Sequence, residues 1–270
     1  MASTPAGGGC ESPAPPPPIR PSLPSNADVE WDRFDPQAYV RHNYAVLRDD
    51  DREILRRTRD FFADAELADA DCVDVGSGAN LYPALSLLPF ARRVDLCDWS
   101  TSNVNWLRTQ VAGYDELWDP YWQVCAEHPT YAALTDPRGR LARVGRVLRA
   151  SVFDVPRHAW DAGTMFFVAC SISADRIEAE QAIGRFLDAL RPHSPFAVAV
   201  MLGSHGYSVG PRTFPAVALQ RAEVVAGITA GAYELNVHEV RLTPPLRDGY
   251  VGMLLATGRT RGRARRWSDG

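Results

Sequence analysis

Asp74-Val75-Gly76-Ser77-Gly78-Ala79-Asn80-Leu81 is the stretch whose reading decides the fold. Cys72 to Val75 is a short β-prone run. It ends in a Gly-x-Gly turn, and Leu81 to Leu88 behind the turn reads as a helix. Gly76 permits the tight turn, and Gly78 lets a ligand approach the backbone with no Cβ in the way. Beyond this helix a second strand, Val94-Asp95-Leu96-Cys97, closes on Asp98, twenty residues after Gly78. A carboxylate there stands beside the crevice that the glycine turn opens onto, where it can accept hydrogen bonds from two ribose hydroxyls.

Working outward, strand and helix alternate. Asn103 to Val111 reads as a helix capped by Ser100 or Ser102. Residues 113–140 form an aromatic-rich, partly helical insertion carrying Tyr114, Trp118, Tyr121, Trp122 and Tyr131, either packed inward or roofing a ligand. Arg146 to Val152 is a third strand, and Thr164 to Ala169 a fully apolar central one. A helix over 175–191 stops at Pro192. Phe196 to Leu202 is a fifth strand, 216–230 a helix, and Tyr233 to Leu242 and Tyr250 to Ala256 two late strands that can pair as an antiparallel hairpin. Upstream, Asp35-Pro36 starts a helix with an N-cap carboxylate followed by proline, and a second helix spans about 50–67. The fold class expected is α/β: a doubly wound Rossmann-like sheet, mostly parallel with an antiparallel edge strand, under an N-terminal helical cap.

The organisation expected is a proline-rich tail over 1–27, a body over 28–258 whose first part, 28–70, is the cap, and an arginine-rich tail over 259–270. The 270 residues carry a formal net charge of −4, too mild to argue for a nucleic-acid partner. No run of eighteen apolar residues suits a membrane helix, and no apolar leader segment is evident. The five cysteines are odd in number and none lie at metal-binding spacing, so Cys72, Cys97 and Cys170 read as packing thiols of a cytoplasmic protein, monomeric by default. No zinc or other metal site is expected.

NAD, FAD and S-adenosylmethionine all suit a glycine turn with an acid after the next strand. For the dinucleotides a third glycine normally follows, whereas here the position is Leu81, then Tyr82 and Pro83. The acid before the turn, Asp74, suits a cationic ligand better than a diphosphate. S-adenosylmethionine, with a sulfonium, an ammonium and no phosphate, is therefore favoured.

The stretch from Asp74 to Tyr82, together with Asp98-Trp99-Ser100, Asn103 and the upstream Phe34-Asp35-Pro36-Gln37-Ala38-Tyr39 with Tyr44, resembles the nicotinamide, phenylethanolamine and indolethylamine N-methyltransferases over roughly 31–257. The resemblance implies a class I methyltransferase fold whose helical cap closes over the cofactor. Carried over, Tyr39 and Tyr44 touch the cofactor, and Gly76, Ser77 and Gly78 line its amino-acid end with Tyr82 nearby. Asp98 and Asn103 hold the ribose, and Trp99 packs on it or on the adenine. Val168, at the end of the fourth strand, passes under the methyl group. Where the family commonly has an acid for the adenine amine, this chain has Ser151, with the Val152 backbone beside it and Asp154 three residues on. The region Val200 to Ser204 has no carboxylate, and Asn43 replaces a cap aromatic. The loop Gly203 to Gly210 either forms a hairpin-like connection or builds the substrate wall with Ser204, His205 and Tyr207.

Methyl transfer from a sulfonium is an in-line displacement, so alignment and exclusion of water matter more than a triad. None of the six histidines pairs with an acid or cysteine at a catalytic spacing; His42 and His205 are the two placed to reach the pocket as a base. The expected activity is methyl transfer to a small-molecule nitrogen, amine or heteroaromatic, with oxygen or sulfur acceptors less favoured. The alternatives are intramolecular cyclisation of the cofactor with release of methylthioadenosine, or a non-catalytic binder on the same fold.

Overall fold

The computed structural model describes residues 25–241 and 249–262. The proline run of the N-terminal tail and Arg263, Arg265 and Arg266 of the basic end lie outside the described residues.

Two single turns, Asn26–Asp28 and Trp31–Arg33, lead into α1 (Pro36–Asn43) and α2 (Asp49–Ala63). The body then alternates β1 (Ala70–Val75), α3 (Tyr82–Leu85), β2 (Ala91–Asp98) and α4 (Thr101–Ala112). The aromatic segment follows as a turn at Glu116–Trp118, then α5 (Asp119–Ala126), α6 (Pro129–Ala132) and α7 (Pro137–Val144). Next come β3 (Gly145–Arg149), β4 (Ala162–Phe166), α8 (Arg176–Ala189), β5 (Pro195–Leu202), β6 (Gly206–Val209), β7 (Arg212–Pro215), α9 (Arg221–Thr229), β8 (Ala232–Val240) and β9 (Gly252–Thr260).

Seven strands form one sheet in the order β3-β2-β1-β4-β5-β9-β8, and β6 and β7 pair separately. The five strands from β3 to β5 run parallel. β9 is antiparallel to both β5 and β8 and sits between them. Every residue of β1, β4 and β5 is buried, so both faces of the sheet centre are covered, as their continuous apolar runs require. Strand order reverses between β1 and β4, and the crevice at their carboxyl ends is where open α/β sheets bind ligands.

Several boundaries shift for local reasons. Asn26, within the expected tail, is tied to the body: its N–H donates to Glu178 at 2.8 Å, and nearby Ser100 Oγ donates to the Trp31 carbonyl at 2.8 Å. At the other end β9 runs on to Thr260, and Arg259 is a strand residue whose guanidinium donates to the His193 and Ala65 carbonyls rather than part of a tail. β3 stops at Arg149 because the Ser151 hydroxyl accepts the Phe153 N–H at 3.2 Å and turns the chain. β4 stops at Phe166 because Phe167 adopts φ +61°. α9 starts only at Arg221, with a Gln220–Glu223 capping box.

The aromatic segment packs inward. Trp118, Tyr121 and Tyr131 are fully buried, and the Tyr131 hydroxyl donates to the Ser86 carbonyl at 2.6 Å. Cys72, Cys97, Cys125 and Cys170 are unbonded and buried, and burial pushes the first three thiols well above their usual range, as befits packing groups. Among the described residues no cluster of metal-ligating side chains occurs, and no helix is long and apolar enough to cross a membrane.

Candidate active site

The turn after β1 holds Gly76 at φ +67° and Gly78 at φ +56°. A Cβ on Gly76 would meet Val168 Cγ2 at 2.4 Å, so the residue after β1 must be glycine for the chain after β4 to close upon it. Ser77 locks the bend: its N–H donates to the Cys97 carbonyl at 2.9 Å and its hydroxyl to the Asp74 carbonyl at 3.0 Å.

Asp98, at the end of β2, is a hub. Its Oδ2 accepts the Gly78 N–H at 2.8 Å, and its Oδ1 accepts the Ser100 N–H at 2.9 Å and the Asn103 amide at 3.2 Å. Burial pushes its carboxyl above the usual range, and these donors pull it back. Ser100 is also the N-cap of α4, its hydroxyl accepting the Asn103 N–H, so one carboxylate fixes the turn after β1 to the start of α4.

These residues open onto a cavity at the carboxyl ends of the strands, with about 780 Å³ of empty space that includes its opening to solvent. Of the residues singled out in the sequence, Tyr39, Tyr44, Gly76, Ser77, Gly78, Asp98, Trp99, Asn103, Ser151, Val152, Val168 and Tyr207 line it. Trp99 is half exposed, and the Arg149 guanidinium lies 4.9 Å from its ring centroid. Asn80 and Asn103 line the cavity, and Asn80 Nδ2 and Asn103 Oδ1 are buried without a partner among the described residues. This spare hydrogen-bonding capacity beside the open glycine turn suits a polar ligand such as S-adenosylmethionine.

Three expected residues lie elsewhere. Tyr82 is fully buried behind Tyr44, its ring 6.0 Å away; it stacks on Tyr121, and its hydroxyl donates to Asp51 at 3.0 Å. Burial, then the neighbouring Asp50, pushes the Asp51 carboxyl up to about 7. Ser204 is buried at the base of the hairpin, its hydroxyl on the Gly206 carbonyl at 3.4 Å. His205 lines a different surface cleft beside Asp28 and Arg212. Gly203 turns the chain at φ +74°; His205 stays ahead of β6, whereas Tyr207, within that strand, lines the cavity. Asp154 is exposed and outside the cavity, so it does not stand in for Ser151. Asp74 also lies outside it: Oδ1 accepts the Thr164 hydroxyl at 2.7 Å, and burial lifts the carboxyl to about 7.

Sequence reasoning missed Asn26, Trp31, Asn80, Ile172 and the side chain of Phe167 as lining residues. Asn26 lay inside the presumed tail. Phe167 is strained, a bulky residue in the left-handed region with its N–H on the Ala199 carbonyl at 2.6 Å, and nothing in its residue type announces that.

Trp31 stacks on Phe214 at 5.6 Å, Phe214 on Tyr207 at 5.6 Å, and Phe34 meets both Phe214 and Tyr39 at 5.2 Å. The cap and the β6–β7 hairpin thus close over the cavity through rings. Among the described residues no histidine lines it, and Asp98 is the one carboxylate that does.

A model of the NNMT/PNMT/TEMT family matches residues 25–248. Phenylethanolamine N-methyltransferase of Mus musculus is 28% identical over 245 residues, covering 80% of this chain and 80% of that one. Nicotinamide N-methyltransferase of Sus scrofa is 23% identical over 239 residues, covering 80% and 88%. Among solved structures, an S-adenosylmethionine-dependent methyltransferase from Methanosarcina mazei shares the fold with a TM-score of 0.50 at 12% identity, covering 74% of this chain and 96% of that one.

Proposed function

Because the chain belongs to the NNMT/PNMT/TEMT family, and so is an S-adenosylmethionine-dependent methyltransferase, we propose that it methylates a nitrogen atom of a small, flat molecule. The observation that carries this reading is that the Asp98 hub and the Gly76–Gly78 turn line the same cavity as Phe34, Tyr39, Phe167 and Tyr207. In this reading the carboxylate that holds the ribose and the aromatic chamber share one cavity.

Bound S-adenosylmethionine supplies a methyl group on a sulfonium whose departure leaves a neutral thioether. In this reading Asp98 and Asn103 take the ribose hydroxyls, and Trp99, backed by Arg149, packs against the adenine. Ser151 and the Val152 backbone border the adenine edge. Gly76, Ser77 and Gly78 hold the amino-acid end, with Tyr39 and Tyr44 over the methionine chain. The acceptor lies against Phe167, Ile172 and Tyr207. The rings of the cap keep water out, which keeps a neutral nitrogen lone pair unhydrated. Among the described residues no histidine and no second carboxylate lines the wall, so none of them stands as a base for stripping a proton from an ammonium. The favoured acceptor is thus a nitrogen already neutral near physiological pH, such as a ring nitrogen of a heteroaromatic.

The test is incubation with S-adenosylmethionine and a panel of pyridines, indoles and arylalkylamines, read by mass. S-adenosylhomocysteine with an N-methylated product is expected. Methylthioadenosine without any acceptor would assign intramolecular cyclisation instead, and cofactor binding with neither product would make the chain a binder.

A further inference from the structure

A second cleft, with about 1560 Å³ of empty space open to solvent, lies between α1 and the β6–β7 hairpin. Tyr39 and Tyr207 line both this cleft and the inner cavity. Their rings meet edge to face with centroids 6.2 Å apart, so the pair forms a shared wall between the two spaces. On the outer side stand Arg41, His42 and Asn43 of α1, with Ser208 and Thr213 of the hairpin.

The charge of this outer cleft is one-sided. The chain as a whole is acidic, at −4, yet among the described residues no carboxylate lines the cleft. Arg41 is exposed and has no hydrogen bond or ion pair among the described residues. In the inner cavity the carboxylate among the described lining residues is Asp98, which this reading gives to the ribose of the cofactor. A guanidinium presents a rigid fork that suits carboxylate or phosphate groups and has no use for an ammonium.

We infer that the outer cleft is an anion subsite of the acceptor. The acceptor is then a two-part molecule. Its flat nitrogen-bearing head sits inside the Tyr39–Tyr207 wall, and a short tail ending in a carboxylate or phosphate reaches past those rings to Arg41. The inference rests on the reading of the inner cavity as the acceptor chamber. It deepens that reading by naming the substrate class as an anionic heteroaromatic.

The experiment uses matched acceptors sharing one heteroaromatic head and differing only in the tail: carboxylate, phosphonate, neutral amide or ammonium. Each is assayed for S-adenosylhomocysteine release by the full chain and by Arg41→Ala, Arg41→Lys and Arg41→Glu. The wild type should favour an anionic tail over the amide by about tenfold or more in kcat/KM, chiefly through KM. Arg41→Ala should erase that ratio, Arg41→Lys should keep part of it, and Arg41→Glu should invert it toward the ammonium. Which of the carboxylate and phosphonate tails is preferred identifies the anion. A wild type that prefers the amide or ammonium tail, or a ratio untouched in Arg41→Ala, overturns the subsite while leaving methyl transfer intact. Release of no S-adenosylhomocysteine with any acceptor overturns both readings together.

Discussion

Asp98 binds three protein donors before any ligand arrives, so it is pre-oriented, and its loss has two separable effects. In Asp98→Ala the ribose loses its charged acceptor, which should weaken S-adenosylhomocysteine binding at least about thirtyfold by calorimetric titration. The Gly78 and Ser100 N–H groups also lose their partner, which should lower the melting temperature. Gly76→Ala tests the turn: a left-handed φ and a Cβ 2.4 Å from Val168 should destabilise the fold by about 1–3 kcal/mol in urea unfolding. Adding Val168→Ala should recover only the part due to overlap. Asp51 gives a pH signature. Burial pushes its folded carboxyl up to about 7 from the ordinary aspartate value of 3.8, so between those values the folded state keeps a proton that the unfolded chain releases. Stability must therefore fall as pH rises through that window and level off above it, with Asp74 adding the same trend. Asp51→Asn should flatten the slope and add about 1–3 kcal/mol at pH 8; an unchanged slope would refute the assignment. At this scale Gly76, Gly78 and Asp98 were legible because their spacing is dictated by one βαβ unit. Tyr82, Ser204 and His205 were not, because whether a side chain faces a cavity depends on a turn of a few residues, here the brevity of α3 and the bend at Gly203.

Among elements, the cap and the β6–β7 hairpin depend on each other. Neither the segment around Trp31 and Phe34 nor the hairpin buries its rings alone; Phe214, 4% exposed, is the meeting point. Phe214→Ala should leave the sheet intact but speed amide exchange across residues 25–43 and 206–215, with kcat/KM falling through a leakier chamber. Equal protection in wild type and variant would show that the cap is held by something else, such as the Asn26–Glu178 and Thr101–Asp32 hydrogen bonds. The strands of the central sheet could be placed from sequence because fully buried strands are continuous apolar runs. The stretch Gly203 to Gly210 reads from sequence either as a hairpin-like connection or as a substrate wall, because its glycines and polar residues suit both. The ends of α9 and β4 were misjudged because a capping box and a positive φ at Phe167 overrode the apolar pattern.

Over the whole molecule, the sheet order puts the switch point between β1 and β4, and the glycine turn, the Asp98 hub and Val168 all converge on it. Alternation of strand and helix made the doubly wound, mostly parallel class readable, whereas the strand order, with β9 between β5 and β8, is set by pairing across the sheet and carries no local mark. Because the crevice joins elements from residue 26 to residue 207, a ligand there should stabilise the whole fold. S-adenosylhomocysteine at a hundred times its Kd should add about 2.7 kcal/mol and raise the melting temperature by roughly 5–10 °C, and at the same concentration Asp98→Ala should keep about a third of that rise or less. The most direct measurement is a crystal grown with S-adenosylhomocysteine. Density with the ribose on Asp98, the adenine against Trp99 and the amino-acid end over Gly76–Gly78 is the result expected; the ligand seated away from the switch point, with that crevice left empty, would contradict the account.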